Sequence, residues 1–100
     1  MTLDHRKLLT VVAEAAIEHE LVREIERLGA HGYTITDARG KGSRGIRNAG
    51  WILSANIRIE VVCTADTAHA ISAALRERYY DNYAMILFVS EVEVMRPEKF

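Results

Sequence analysis

Residues 56–63 read "NIRIEVVC", and their alternation decides the fold. In an extended chain Ile57, Ile59, Val61 and Cys63 fall on one side and Arg58 and Glu60 on the other, because successive strand side chains point to opposite faces. Directly after it the period changes. Thr64 or Asp66 can cap a helix, and Ala68, Ile71, Leu75 and Tyr79 then form its inner stripe. Upstream, "YTITDA" is a short strand with Tyr33 and Ile35 on one face. Before it, Ile17, Leu21, Ile25 and Leu28 recur at helical spacing across Glu14 to Leu28, with charged residues on the opposite side, the pattern of an amphipathic helix. Gly29 and Gly32 mark its end, since glycine takes the left-handed cap conformation at little cost. Residues 6–13, "RKLLTVVA", open the pattern as a strand, and "YAMILFVSEVEVM" closes it as another that Pro97 terminates.

The order is βαββαβ, an α+β, ferredoxin-like sandwich. Both helices then cover one face of a four-stranded antiparallel sheet. "AMILFV" is apolar at every position, as expected of a strand buried on both sides. One hundred residues suit a single domain but leave no third layer for the second face. A homo-oligomer whose sheets pack against each other is expected. No apolar run approaches the roughly 20 residues of a membrane helix, and the N-terminus lacks a signal-peptide pattern, so the expected location is cytoplasmic. Cys63 is the only cysteine, which excludes a disulfide or a thiolate zinc site within one chain.

The net charge of −1 hides an uneven layout. No acid lies between Asp37 and Glu60, yet Arg39, Lys41, Arg44, Arg47 and Arg58 do, five of the thirteen Lys and Arg. A nucleic-acid footprint would make the whole domain basic; this layout points to one focused anion site. Most of these cations belong to a connection of about 17 residues, from Arg39 to Ala55, long for a compact domain. Within it "GKGSRG", residues 40–45, matches G-x-G-x-x-G, with Glu60 twenty residues beyond Gly40. The dinucleotide fingerprint also needs a helix at the third glycine, and Gly45, Asn48 and Gly50 interrupt one. The order around Lys41 is not that of a Walker A loop either. A phosphate site needs less: glycines that let backbone N–H groups converge and arginine forks. Composition alone leaves this cradle and a solvated basic loop equally open.

Three stretches, "GYTITDARGKGSRGIR", "ANIRIEVVCT" and "RYYDNYAMILFVSEVEV", together resemble the PII-like signalling proteins over residues 6–96. The nearest branch in this likeness is SbtB and the carboxysome-associated PII-like proteins. The resemblance implies a homotrimer with a nucleotide site in each intersubunit cleft and a T-loop at about residues 39–55 whose movement carries the signal. It implies a non-catalytic regulator that binds adenine nucleotides (ADP or AMP, with ATP or cyclic AMP as further candidates) together with bicarbonate. Through the T-loop it would control inorganic-carbon uptake or carboxysome function, at a bicarbonate transporter or a carboxysome component. Carried over by motif, Gly32 and Thr34 would lie beside the adenine, and Gly40, Lys41, Gly42, Ser43, Arg44 and Arg47 would approach the phosphates. Lys41, Ser43 and Arg44 are the candidates for bicarbonate. Val62 and the turn Tyr83, Ala84, Met85 would wall the nucleotide, and Arg96 would face phosphate. Two departures stand out. The closing "RPEKF" lacks the paired cysteines of transporter-associated relatives, and "NAGWILSAN" is more apolar than their loops.

Other readings compete. An RRM-like RNA-binding module shares the βαββαβ order but needs aromatics on its central strands, and "KLLTVVA" and "NIRIEVVC" contain none. A small metal-handling trimer of similar fold is weakened by the scatter of His5, His19, His31 and His69, of which His19 and His69 read as solvent-facing. Cys63 reads as a buried small hydrophobe rather than a nucleophile. Glu91 and Glu93 read as solvated or salt-bridged rather than as a catalytic pair; weak nucleotide hydrolysis stays open, with no obvious general base beside the arginines. Trp51 is either packed on the protein's own surface or an anchor for a partner.

Overall fold

The computed structural model describes residues 3–40 and 55–100. Strand β1 runs Asp4–Glu14, α1 Glu18–Arg27 after a 3-10 turn at Ala15–Ile17, and β2 Thr34–Ala38. Strand β3 runs Asn56–Cys63, α2 Ala65–Tyr79 and β4 Ile86–Val94. The sheet order is β2-β3-β1-β4, with every neighbouring pair antiparallel. This is the α+β, ferredoxin-like arrangement expected from the order of elements.

The expected side-chain pattern of β3 holds. Ile57, Ile59, Val61 and Cys63 are buried beneath the helices with Leu9, Val11 and Ala13 of β1. The α2 stripe Ala68, Ile71, Leu75 and Tyr79 closes over them together with Ile17, Leu21 and Ile25. Thr64, not Asp66, is the cap: its hydroxyl accepts the Thr67 N–H at 3.3 Å. The end of α1 is a Schellman motif. Ala30 N–H donates to Ile25 O and Gly29 N–H to Glu26 O, with Gly29 at φ +110°, a backbone that glycine alone adopts cheaply.

Several boundaries differ from the sequence reading. β1 is longer at both ends, α1 starts in a 3-10 turn instead of at Glu14, and Tyr33 stands exposed ahead of β2. β4 shows the uncovered second face that the sequence reading assigned to partner copies. It is an edge strand, and Ile86, Phe88 and Val89 are 56%, 49% and 44% exposed, so within one chain "AMILFV" is not covered on both sides. The register sets Ile86 beside Val12 and Phe88 beside Thr10, and paired residues share a face. Val62 of β3 lies opposite Leu8 on that same open face. An apolar patch therefore runs across the side of the sheet that the helices leave bare.

The two helices meet at a buried carboxylate. Glu24, 8% exposed, accepts from Arg27 Nε at 3.0 Å and from Arg78 of α2 at 3.5 Å. The Arg27 hydrogen bond, helped by the charges of Arg27 and Arg78 and opposed by desolvation, holds its carboxyl below the usual carboxylate range. A depressed folded-state pKa stabilises the fold above the unfolded-state value and loses that contribution as pH falls through the folded one. In urea unfolding, Glu24→Gln should therefore be less stable than the parent at pH 7. The gap should close as pH falls below about 4.5, the ordinary glutamate value. A pH-independent gap would assign the loss to packing instead.

Candidate functional site

β1 serves as a ruler for the sequence-selected residues. Its register with β3 sets Leu8 opposite Val62 and Glu14 opposite Asn56, and β3 in turn pairs Glu60 with Thr34 and Asn56 with Ala38. Val62, half-buried on the open face, thus sits with Thr34 toward the Asp4 end of the sheet, and Gly32 closely precedes Thr34 there. Arg96, exposed and 3.9 Å from Glu98, follows Val94, which pairs with Asp4 at that same end. Gly40, by contrast, lies just past Ala38 at the Glu14 end. The turn Tyr83, Ala84, Met85 belongs to the Glu14 end too, because the β1–β4 ladder finishes at Val12 and Ile86.

Among the described residues, one chain therefore does not bring the selected ones together. The Val62 set and the Ala84 set are six residues apart along β1, roughly 20 Å at 3.3 Å per residue. Lys41, Gly42, Ser43, Arg44, Arg47 and Trp51 lie outside the described residues. Gly32 and Gly40 share one feature: a Cβ built on either meets none of the described residues within 4 Å. Packing against the described residues requires neither glycine, and both are exposed.

The turn at 83–85 is built on the end of α2. Asn82 and Tyr83 N–H groups both donate to Tyr79 O, at 3.1 and 2.9 Å, and the Tyr83 ring meets Tyr79 edge-on with centroids 5.7 Å apart. Of the three neighbouring tyrosines, Tyr79 is core, Tyr83 half-buried and Tyr80 exposed. Ala84 N–H then donates to Glu14 Oε2 at 3.1 Å. Motif reading does not select Glu14, and no local signal marks it; only the folded register brings it to the turn.

The remaining candidates separate cleanly. Arg58, counted with the basic segment by composition, pairs with Glu60 at 3.2 Å on the open sheet face. That same pairing occupies the acid that the dinucleotide fingerprint would need. Glu91 pairs with Lys7 at 3.3 Å, and His19 and His69 are exposed, as expected. Cys63 is buried, and burial pushes its thiol up, away from the thiolate a nucleophile needs. Among the described residues no group of three His, Cys, Asp or Glu side chains could hold a metal ion. None of their helices is long and apolar enough to cross a membrane. A shallow groove between the helices is lined by Glu24, Arg27, Ala74, Glu77 and Arg78, none of them a sequence-selected residue.

Comparison with known proteins agrees with this fold. A PII-like signalling protein from Thermus thermophilus is 49% identical, with a TM-score of 0.85 over 100% of this chain and 99% of its own. CPII from Thiomonas intermedia, a nitrogen regulatory PII-like protein solved bound to ADP, AMP and bicarbonate, is 25% identical, with a TM-score of 0.87 over 99% of this chain and 96% of its own. A second CPII structure, bound to ADP and bicarbonate, is 26% identical, with a TM-score of 0.86 over 99% and 97%. The family model described as nitrogen regulatory protein P-II matches residues 6–99. With nearly its whole length matched, the chain belongs to the nitrogen regulatory protein P-II family.

Proposed function

We propose that this chain is a non-catalytic sensor of adenine nucleotide and bicarbonate. Its nucleotide, ADP or AMP, sits between two copies. Gly32, Thr34, Val62 and Arg96 of one copy face the adenine side and one phosphate. Gly40, Lys41, Gly42, Ser43, Arg44, Arg47 and the Tyr83–Met85 turn of the next supply the other wall. Lys41, Ser43 and Arg44 bind bicarbonate beside it. The observation that carries this reading is the division of the residues. Two sets about 20 Å apart on one sheet serve one ligand only if the second set comes from a neighbour. CPII, which superposes on almost the entire chain, was solved with ADP and bicarbonate.

The assembly is a homotrimer whose sheets face inward and cover the exposed Ile86 and Phe88. Occupancy changes the T-loop, residues 39–55, and with it the surface offered to a bicarbonate transporter or a carboxysome component in the cytoplasm. Only a ligand that binds the two loop states differently can shift them. Binding free energies are reciprocal, so bicarbonate should tighten ADP by the factor with which ADP tightens bicarbonate. Calorimetric titration of ADP with and without bicarbonate, at fixed pH and ionic strength, should show a gain on the order of 5- to 150-fold. Equal affinities would remove bicarbonate from the reading, and absence of ADP binding would remove the nucleotide.

A further inference from the structure

The end of β1 holds two separate segments at adjacent residues. On one side, the β1–β3 ladder closes at Glu14 and Asn56, and Ala15 N–H continues it by donating to Ala55 O at 2.8 Å. Ala55 is the last residue of the 39–55 connection. On the other side, the β1–β4 ladder stops at Val12 and Ile86. The same register extended by two residues would put Ala84 across from Glu14. Instead of a backbone partner, Ala84 N–H finds the Glu14 carboxylate, with Oε2 at 3.1 Å. The side chain thus replaces the missing rung. Glu14 also precedes the 3-10 turn, yet its carboxylate makes no cap hydrogen bond there.

We propose that Glu14 is a positioning residue that joins the turn at Tyr83–Met85 to the root of the 39–55 connection. Its side chain holds the turn, and the backbone at Glu14 and Ala15 holds the loop root. Displacement of Ala84 by a ligand at the turn pulls on the carboxylate, and through it on the strand end that carries Ala55. A ligand at either segment is felt at the other through one half-buried residue. This rests on the reading that both segments border the nucleotide.

The test needs one readout that does not depend on any ligand. Amide hydrogen exchange in the ligand-free protein supplies it, followed at Ala84 and at Ala15, whose N–H reports on Ala55. Glu14→Ala should raise exchange at Ala84 by roughly 10- to 100-fold, the opening expected when a charge-assisted hydrogen bond is lost. It should raise exchange at Ala15 as well, after correction for the side-chain effect on intrinsic rates. Glu14→Gln keeps an acceptor oxygen and should stay within about fivefold of the parent at both amides, in line with a neutral hydrogen bond. In the same variants the gain in ADP affinity given by bicarbonate should collapse toward one in Glu14→Ala and persist in Glu14→Gln. Faster exchange at Ala84 with Ala15 unchanged would overturn the joint, as would parental exchange at both. If the parent itself does not bind ADP, the nucleotide reading falls, while the two amides still decide for or against the joint.

Discussion

Phe88→Asp should reduce the protein to single chains and abolish ADP binding with them. Phe88 is half exposed on the open sheet face, so its loss removes little from the core of one chain. It lies across from Thr10, whose Oγ1 is buried without a hydrogen-bond partner among the described residues. A carboxylate introduced there gives that hydroxyl an acceptor, which favours folding of the isolated chain. Between packed sheets the same carboxylate must lose its water, at several kcal/mol per ion. The buried aromatic surface is lost in addition, about 1.5–3 kcal/mol per ring. Every copy in the assembly bears both costs, enough for more than roughly 1,000-fold in association. Light scattering should fall from three times the 11.3 kDa chain mass to one, with the circular dichroism of a folded protein. ADP binding should vanish because the proposed site draws its residues from two copies. A variant that keeps the parental mass would place the interface elsewhere. Dissociation with parental ADP affinity would return the site to one chain.

This prediction draws on a feature that the sequence shows and disguises together. "AMILFV" is apolar throughout, which reads as a strand buried on both sides. The folded chain puts it at the sheet edge with Ile86 and Phe88 in the open. Composition records the environment in the working assembly, whereas exposure in one chain records only what that chain can cover. β3 and α2 were legible because alternation and helical spacing are local, and their buried stripes fall where the period puts them. The opening of α1 was not. Helical spacing runs back to Glu14, but the Glu14 carboxylate is drawn to Ala84 rather than to the helix end, and the first turn tightens to 3-10.

The site shows the same division. Period assigns a residue to a face of a strand and says nothing of which end of the sheet it occupies. Gly32 and Gly40 lie in one continuous motif, yet β2 carries the chain from one end of the sheet to the other between them. Arg58 counts with the basic segment by composition, but its neighbour two residues on, Glu60, shares its face and neutralises it. Glu14 gave no signal at all, because its importance comes from a pairing seventy residues away.

Arg44→Ala should weaken ADP binding at least tenfold, and removal of Arg47 as well should weaken it by roughly 100- to 10,000-fold. Each charge-assisted bond from a guanidinium to phosphate is worth about 1.5–3 kcal/mol, which is about 10- to 100-fold in affinity. The product holds only where the two arginines reach separate oxygens and do not share a partner. The rival account is a solvated basic loop, in which long-range attraction alone favours the nucleotide. Two comparisons separate them. Adenosine lacks phosphate, so the variants should bind it as the parent does if the arginines grip phosphate oxygens. Arg44→Lys keeps the charge but loses the planar fork, so it should recover little of the loss if the contact is bidentate and most of it if the loop acts as a diffuse cation. Raising the salt should weaken the solvated-loop interaction steeply, since charges beyond about 8–10 Å are screened at physiological ionic strength. A direct contact should resist it better. Calorimetry that finds less than a twofold loss of ADP affinity in Arg44→Ala, or full recovery by lysine, would take the arginines out of the phosphate site and leave Gly40, Lys41 and the Ala84 turn to hold the anion without them.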